Sequence, residues 1–170
     1  MAAPKRSPWQ LPYGKGRVRQ CAVPLFGVVF LASPVWGQLL TSSSGLSFGA
    51  FAAVSGYAGG TIVVAPNGSR TAPSGGVMLI GSTGISVASF TVTGTPGAVY
   101  SISLPANSTV CLSDGNGHAM AVNGCTSAPS ATGTLFSGSQ VLGVGATLAL
   151  GANPVPGNYS GGFNVTVNYP

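Results

Sequence analysis

The sequence predicts an all-β protein, folded as an antiparallel β-sandwich or barrel. After residue 37, apolar residues nowhere recur at the three- to four-residue spacing of an amphipathic helix. Glycine and proline interrupt the chain at short intervals, and the runs between them are rich in Val, Ile, Thr, Phe and Tyr. Many short strands separated by turn residues are typical of antiparallel sandwiches and barrels.

Turn residues divide the chain into its predicted strands. Proline fixes φ near −65°, and Gly, Asn and Asp accept positive φ, so clusters of these residues mark turns. Such clusters are Pro66-Asn67-Gly68, Thr95-Pro96-Gly97, Asp114-Gly115-Asn116-Gly117 and Asn153-Pro154-Val155-Pro156-Gly157. We expect strands over residues 46–53, 60–65, 76–80, 85–93, 98–104, 108–112, 118–123, 131–136, 140–150 and 157–169.

Three of these strands show which of their faces is buried. Apolar residues occupy every second position, which is the period of a strand with one face toward a core. A shift of the pairing by one residue would expose the whole apolar set, so the register is well specified. We expect the buried sets to be Leu142, Val144, Ala146, Leu148 and Leu150; Ala88, Phe90 and Val92; and Tyr100, Ile102 and Leu104.

The C-terminal segment 157–169 alternates in the same way. Its apolar or glycine positions are separated by Ser, Gly, Asn and Thr, which predicts a strand with one exposed face. A strand at the end of the chain either pairs with something or leaves an open sheet edge. The candidate strand-pairing residues are Gly157, Tyr159, Phe163, Val165, Val167 and Tyr169, with Gly161 also on this face.

The first 37 residues have the pattern of a secretory signal peptide. Five of the six basic residues lie in the first nineteen positions, and an apolar run over 22–36 follows them. We expect cleavage before Gln38, and therefore an exported protein of the periplasm, outer surface or extracellular space. An N-terminal membrane anchor is the alternative, but Pro24 and Pro34 interrupt the apolar run. Residues 38–45 are predicted to be a flexible lead-in, and 46–170 a single domain.

Charge is nearly absent after the predicted cleavage site. The formal net charge of +5 belongs to the leader, because residues 38–170 contain one basic residue, Arg70, and one acidic residue, Asp114. Such a chain lacks the basic patch that nucleic acids or anionic lipids require, so neither nucleic-acid binding nor stable membrane insertion is expected. Arg70 follows a turn, where it can pack across a strand end, bond turn carbonyls or form a salt bridge with Asp114.

Two cysteines, Cys111 and Cys125, remain after the predicted cleavage. An even pair in an exported chain predicts a disulfide. The loop that it would close is about fifteen residues long, for which chain-entropy estimates give about 3 kcal/mol. A zinc site is the alternative, but it would need two more ligands, and His118 is the one plausible candidate.

The side chains available for catalysis are few. Hydrolytic mechanisms need paired carboxylates, or a nucleophile with a base and a group that orients it. The sequence offers the carboxylate of Asp114, placed in a Gly/Asn turn where it can bond its own backbone, and the imidazole of His118. We therefore expect no enzymatic activity, cofactor or metal.

Several segments together resemble a bacterial secreted family, domain of unknown function 4402, which is similar to spore-coat-protein-U-like proteins and chaperone–usher pilus subunits. The likeness covers about 46–170, and Gly157 and Tyr169 lie fourteenth and second from the end, as in pilus subunits. The segments are Leu46-Ser47-Phe48-Gly49-Ala50-Phe51, residues 89–102 (Ser89-Phe90-Thr91-Val92 through Tyr100-Ser101-Ile102), Ser130-Ala131-Thr132-Gly133-Thr134-Leu135, Val144-Gly145-Ala146-Thr147-Leu148 and residues 157–169.

The resemblance implies an immunoglobulin-like sandwich that is completed by a strand from a partner. The partners would be a periplasmic chaperone and then the N-terminal segment of a like subunit. It also implies that Tyr159, Phe163, Val165, Val167 and Tyr169 line the edge of the strand-accepting groove. The N-terminus departs from this pattern, because residues 38–45 offer only adjacent Leu39 and Leu40 before a serine run. A sandwich whose last strand pairs internally fits the same sequence.

Two functions follow as expectations. The first is an exported structural surface protein that assembles with like subunits by strand pairing at sheet edges. The alternative is a stand-alone secreted binding module for a carbohydrate or surface ligand, in which loop residues Tyr57 and His118 would make the contacts.

Overall fold

The structure is a computed structural model that describes residues 38–170. This part of the chain is all-β: it contains no helix, about half of it is strand, and its sheets curl into a half-barrel. Among these residues there is accordingly no helix of the length and hydropathy that crossing a membrane would require. The predicted signal peptide, residues 1–37, lies outside the described residues.

Fourteen strands make up the described chain, and most are shorter than seven residues. Their bounds are β1 Leu39–Ser44, β2 Ser47–Phe48, β3 Phe51–Ala53, β4 Gly60–Val64, β5 Arg70–Thr71, β6 Val77–Leu79, β7 Ile85–Ser86, β8 Ala88–Thr93, β9 Val99–Ser103, β10 Val110–Ser113, β11 Ala119–Ala128, β12 Thr132–Thr134, β13 Ser139–Leu150 and β14 Thr166–Asn168.

The largest sheet has seven antiparallel strands and is organised by β13. The sheet runs in the order β1-β8-β13-β11-β10, and β4 pairs with β13 and with β5. The first half of β13 pairs with β8 from Ser139 to Val144, and the second half pairs with β4 from Ala146 to Leu150. Gly145 lies where the partner changes. A Cβ there would collide with the carbonyl oxygen of Val64, so this position requires glycine.

Three smaller antiparallel sheets complete the fold. They are β12-β9-β14, β2-β7 and β3-β6. The predicted strand 46–53 is divided into β2 and β3 at Gly49, whose φ of 67° is incompatible with a continuous strand.

Two hydrophobic clusters form the core. The first lies between β4, β10, β11, the second half of β13 and the short strands β2, β3 and β6. The second lies between β8, β9 and the first half of β13, with Leu135 and parts of β1 and β14. The predicted inward faces are confirmed, because every member of the three sets is buried or half-buried. The residues between them are mostly half-buried or exposed, and Gly145, which has no side chain, is buried. Apolar burial of this kind is the main term that stabilises the fold.

Residues 38–45 differ from the prediction of a flexible lead-in. Leu39–Ser44 form β1, which pairs with β8 in the register Leu39↔Thr93 to Ser42↔Phe90. Leu40 packs against the second cluster, and the Ser44 hydroxyl donates to the Val87 carbonyl at 2.8 Å. The serine run therefore forms a strand because its backbone groups bond β8 and its hydroxyls bond Val87 and Thr91, although its side chains bury little apolar area.

Arg70 joins three chain segments through their carbonyl groups. Its guanidinium donates to the carbonyls of Phe48 at 2.8 Å, Ala50 at 3.3 Å and Gly81 at 2.9 Å. The planar guanidinium presents several N–H groups in fixed directions, so one side chain can satisfy several carbonyls. Arg70 thus bonds backbone carbonyls, which is one of its expected roles. Its charged guanidinium is held by groups within the fold.

A matched pair of valines in β13 tests the assignment of its faces. The side chain of Val144 is 0% exposed and that of Val141 is 63% exposed. Val144→Ala should lower the free energy of unfolding by about 1.5–3 kcal/mol, because it removes buried methyl groups and leaves a cavity. Val141→Ala should lower it by less than about 1 kcal/mol. Urea unfolding of residues 38–170 measures both, and equal losses would contradict the assigned faces.

Candidate functional site

The C-terminal segment alternates in burial as its sequence predicts. Five side chains are half-buried and point inward, and the residues between them are exposed. The inward set is Tyr159, Phe163, Val165, Val167 and Tyr169. Regular strand pairing is confined to Thr166–Asn168, so the predicted strand over 157–169 is mostly extended chain that packs through its side chains.

Phe163 connects the two core clusters. Its ring packs against both of them and meets Phe90 of β8 edge to face, with centroids 6.5 Å apart and an interplanar angle of 81°. Edge-to-face aromatic pairs contribute about 0.5–1.5 kcal/mol beyond the area they bury. This contact fixes where the segment crosses the large sheet.

Tyr169 anchors the end of the segment. Its hydroxyl donates to the Thr93 carbonyl at 3.3 Å, and its ring lies 6.0 Å from that of Tyr100. Burial raises the pKa of Tyr169. Leu40 of β1 packs against the same cluster as Tyr169, and the Gln38 and Tyr169 side chains both approach Gly94. Strands β1 and β14 therefore lie on the same side of the molecule.

Strand β14 pairs with β9 on one side. The register is Thr166↔Ser103, Val167↔Ile102 and Asn168↔Ser101. In the order β12-β9-β14 it is the last strand, and no strand within residues 38–170 pairs with its outer side. β14 is therefore an edge strand.

The backbone groups that face outward from this edge follow from the pairing of β9. The Ile102 N–H donates to the Ala131 carbonyl at 2.7 Å, so Ile102 directs its backbone groups toward the β12 side. Successive residues of an antiparallel strand direct these groups to opposite sides, so Ile102 makes no bond to Val167. The N–H and C=O of Val167 consequently face away from β9, and no backbone group of residues 38–170 bonds them.

The beginning of the segment lies beside β10. Ser160 and Ser113 exchange two backbone hydrogen bonds, of 2.8 and 3.0 Å. Gly161 passes over the Cys111 carbonyl so closely that a Cβ would collide with it, so glycine is required there. Gly157 is exposed and lies in the loop before this bridge, near Asp114. Of the predicted pairing residues, Gly157 and Tyr159 thus lie near β10, and only Val165, Val167 and Tyr169 lie in or next to β14.

A cleft separates the middle of the segment from the connection between β9 and β10. Its volume is about 400 Å³, and it is lined by Leu104, Pro105, Val110, Phe163 and the neighbouring Ser, Thr, Asn and Gly residues. No charged side chain lines it.

The predicted disulfide is absent, and Cys111 and Cys125 are both free. The register of β10 and β11 places Cys111 opposite Ala121, not opposite Cys125. Cys125 lies within the irregularity between Asn123 and Thr126, four residues beyond Ala121, or about 13 Å along the strand at 3.3 Å per residue. A disulfide needs Cα atoms within about 7 Å, so this register excludes the bond.

Asp114 and His118 organise the loop that sets this register. One Asp114 carboxylate oxygen accepts from the N–H groups of Asn116 at 2.8 Å and His118 at 3.1 Å, and the other lies 2.6 Å from His118 Nδ1. The hydrogen bond to the His118 side chain, followed by the backbone bonds, lowers the pKa of Asp114 from 3.8 to about 2. The predicted bonding of Asp114 to its own turn is confirmed.

The loop residues proposed for ligand binding lie at one end of the large sheet. Thr61 of β4 and Ala121 of β11 both pair with Ala149 of β13, so the loops that carry Tyr57 and His118 precede neighbouring strand ends. Tyr57 is 53% exposed. No group of three or more His, Cys, Asp or Glu residues lies together within residues 38–170.

Residues 39–169 match a protein family described as "Domain of unknown function (DUF4402)". The chain belongs to this family. No curated protein and no solved structure gives a significant match. The DUF4402 match begins at the first residue of β1 and ends at Tyr169, so it includes both the N-terminal strand and the last inward-facing side chain.

A signal in the sequence of this DUF4402 domain could have excluded the disulfide. The sequence predicts a turn at Asp114-Gly115-Asn116-Gly117, and a hairpin with this turn pairs Leu112 with Met120 and Cys111 with Ala121. Because loop position fixes hairpin register, the turn already separates the two cysteines. For β1 the only side-chain signal was Leu40, which is too little to distinguish a strand from a linker.

The dependence of the free energy of unfolding on acidic pH should come mainly from Asp114. A carboxyl group whose folded pKa is depressed stabilises the fold above its unfolded pKa, and this contribution is lost as the pH falls toward the folded pKa. The free energy of unfolding should therefore drop between about pH 4 and pH 2. Asp114 is the one carboxyl side chain in the sequence, so Asp114→Asn should flatten this drop, leaving only the C-terminal carboxylate. Urea midpoints at pH 6 and pH 2.5 measure the effect, and an unchanged acid dependence in the variant would refute it.

The two thiols should react at different rates. Cys111 is exposed, whereas Cys125 is half-buried and burial raises its pKa, so Cys111 should react with maleimide at least several-fold faster. Cys111→Ser and Cys125→Ser variants assign the two phases. A 111–125 disulfide in peptides from the unreduced folded protein would contradict the register of β10 and β11.

Proposed function

We propose that this DUF4402 domain is an exported structural subunit of the cell surface that assembles with copies of itself by strand pairing at sheet edges. The observation that carries the proposal is the position of β14, which pairs with β9 and has an unpaired outer side within the described residues. Free backbone groups along an edge strand are a template for another strand.

The distribution of charge supports this proposal. Soluble β-proteins commonly protect edges with charged side chains, especially lysine. In residues 38–170 the two charged side chains are both used within the fold, since Arg70 bonds three carbonyls and Asp114 bonds its own loop. No charged residue lies on β14 to oppose pairing with another chain.

We further propose that the fold is an immunoglobulin-like sandwich related to those of spore-coat-protein-U-like and pilus subunits. The support is the packing of the β12-β9-β14 sheet against the β1-β8-β13 part of the large sheet through the second core cluster. Antiparallel sheets that pack face to face over a shared core are the basis of such sandwiches.

Residues 1–37 would direct export as a cleaved signal peptide, after which a periplasmic chaperone would cover the open edge. The need for a cover follows from the physics of the edge, because an uncharged, unpaired strand at high local concentration aggregates. Neighbouring copies would then replace the chaperone. Binding to nucleic acid and stable insertion into a membrane are not part of this function.

Assembly should be measurable with purified residues 38–170. We expect the weight-average mass from sedimentation to rise with protein concentration, and Asn168→Lys to weaken association at least tenfold by placing a charge on the edge strand. Val141→Lys is the matched control, since it adds the same charge to an exposed position of a central strand. A chain that stays monomeric at millimolar concentration, with all strand amides protected from exchange, would refute the proposal.

A further inference from the structure

We propose that the partner at the β14 edge is the β14 strand of a second copy, paired antiparallel about a two-fold axis at Val167. This inference rests on the proposed function, and it specifies which edge pairs, with what, and in which register. The resulting sheet would run β12-β9-β14-β14-β9-β12 across two copies.

The proposed contact is formed by the backbone N–H and C=O groups on the side of β14 that faces away from β9. Val167 directs its N–H and C=O away from β9, because the backbone N–H and C=O of Ile102, the residue opposite, point toward β12. Val165 and Tyr169 lie two residues on either side, so in an extended chain their backbone groups face outward as well. The edge thus presents donors and acceptors at three alternate residues.

These three residues are complementary to themselves. When two copies of the segment run antiparallel about Val167, Val167 faces Val167 of the other copy and Val165 faces its Tyr169. Each of these pairs can exchange both an N–H and a C=O, so no outward group is left unpaired. An isologous contact of this kind is the commonest way in which identical chains form closed dimers.

The side chains also suit this register. On the inner face, Val165, Val167 and Tyr169 already pack against the second core cluster, and the same residues of a second copy would extend that apolar surface. On the outer face, Thr166 of one copy would lie opposite Asn168 of the other, and both are exposed and uncharged. A one-residue shift would place the outward backbone groups opposite groups that already bond β9.

Other edge strands are less suited to pairing. β1 has an irregularity between Ser42 and Ser44, and bulges of this kind discourage edge pairing. The outer side of β10 is already bonded at Ser113 by Ser160. β12 has only three residues, and the extended backbone does not continue before it, because Ala131 has a φ of 60°.

A pair of variants at the proposed axis tests the backbone contact. Val167→Pro removes the outward N–H, and the donors that bond β9, at Thr166 and Asn168, remain. Val167→Ala loses similar packing but keeps the N–H. In sedimentation experiments we expect Val167→Pro to weaken dimerisation at least tenfold relative to Val167→Ala. Circular dichroism and urea unfolding confirm that both variants fold.

A cross-link tests the register independently of that substitution. In a Cys111→Ser/Cys125→Ser background, a chain with Thr166→Cys is mixed with a chain with Asn168→Cys and oxidised. Opposed residues of a non-hydrogen-bonded antiparallel pair have Cα atoms about 4.5 Å apart, which is within the range that a disulfide spans. We expect the mixture to give covalent dimers in at least five-fold higher yield than either chain alone.

The outcomes separate this inference from the proposed function. Association that is equally strong in the Val167→Pro and Val167→Ala variants, or that gives no mixed cross-link, would overturn β14 self-pairing and leave strand-mediated assembly through another edge. A wild-type chain that does not associate at any concentration would overturn both.

Discussion

The packing of alternate side chains from the C-terminal segment onto both core clusters is the contact on which the rest of the structure depends. Phe163 bridges the clusters, and Tyr169 fastens the chain end to β8. Because these side chains hold the segment from its inner face, β14 needs only β9 as a backbone partner. The segment is thereby fixed in place while one side of its backbone stays free.

The near absence of charge leaves the free side of β14 without electrostatic protection against pairing. Arg70 and Asp114 are held by local hydrogen bonds, so electrostatic repulsion does not protect any edge of the described chain. Recognition by such a surface has to rely on backbone hydrogen bonds and apolar contact. The DUF4402 match, which extends from β1 to Tyr169, shows that these terminal strands belong to the domain itself.

The features predicted well from sequence are those with a strong two-residue period. The inward face of β13, from Leu142 to Leu150, and the alternation from Tyr159 to Tyr169 are both found in the structure. β1 was missed because tertiary pairing with β8, rather than its own composition, makes it a strand. The predicted disulfide is absent because the hairpin register, which the Asp114 loop fixes, places Cys111 opposite Ala121 and not opposite Cys125. An edge position for this segment was expected, but its partner β9 and the free side of β14 could not be predicted, since they depend on which side of β9 is taken by β12.

Amide hydrogen exchange at single residues of β14 tests the central claim most directly, when it is measured by NMR in dilute and in concentrated protein. The account predicts that Val165, Val167 and Tyr169 exchange quickly in dilute solution and become protected as the protein associates, whereas Thr166 and Asn168 are protected in both. Protection of the Val167 amide in the dilute monomer would show that the edge is already paired, and would contradict the account.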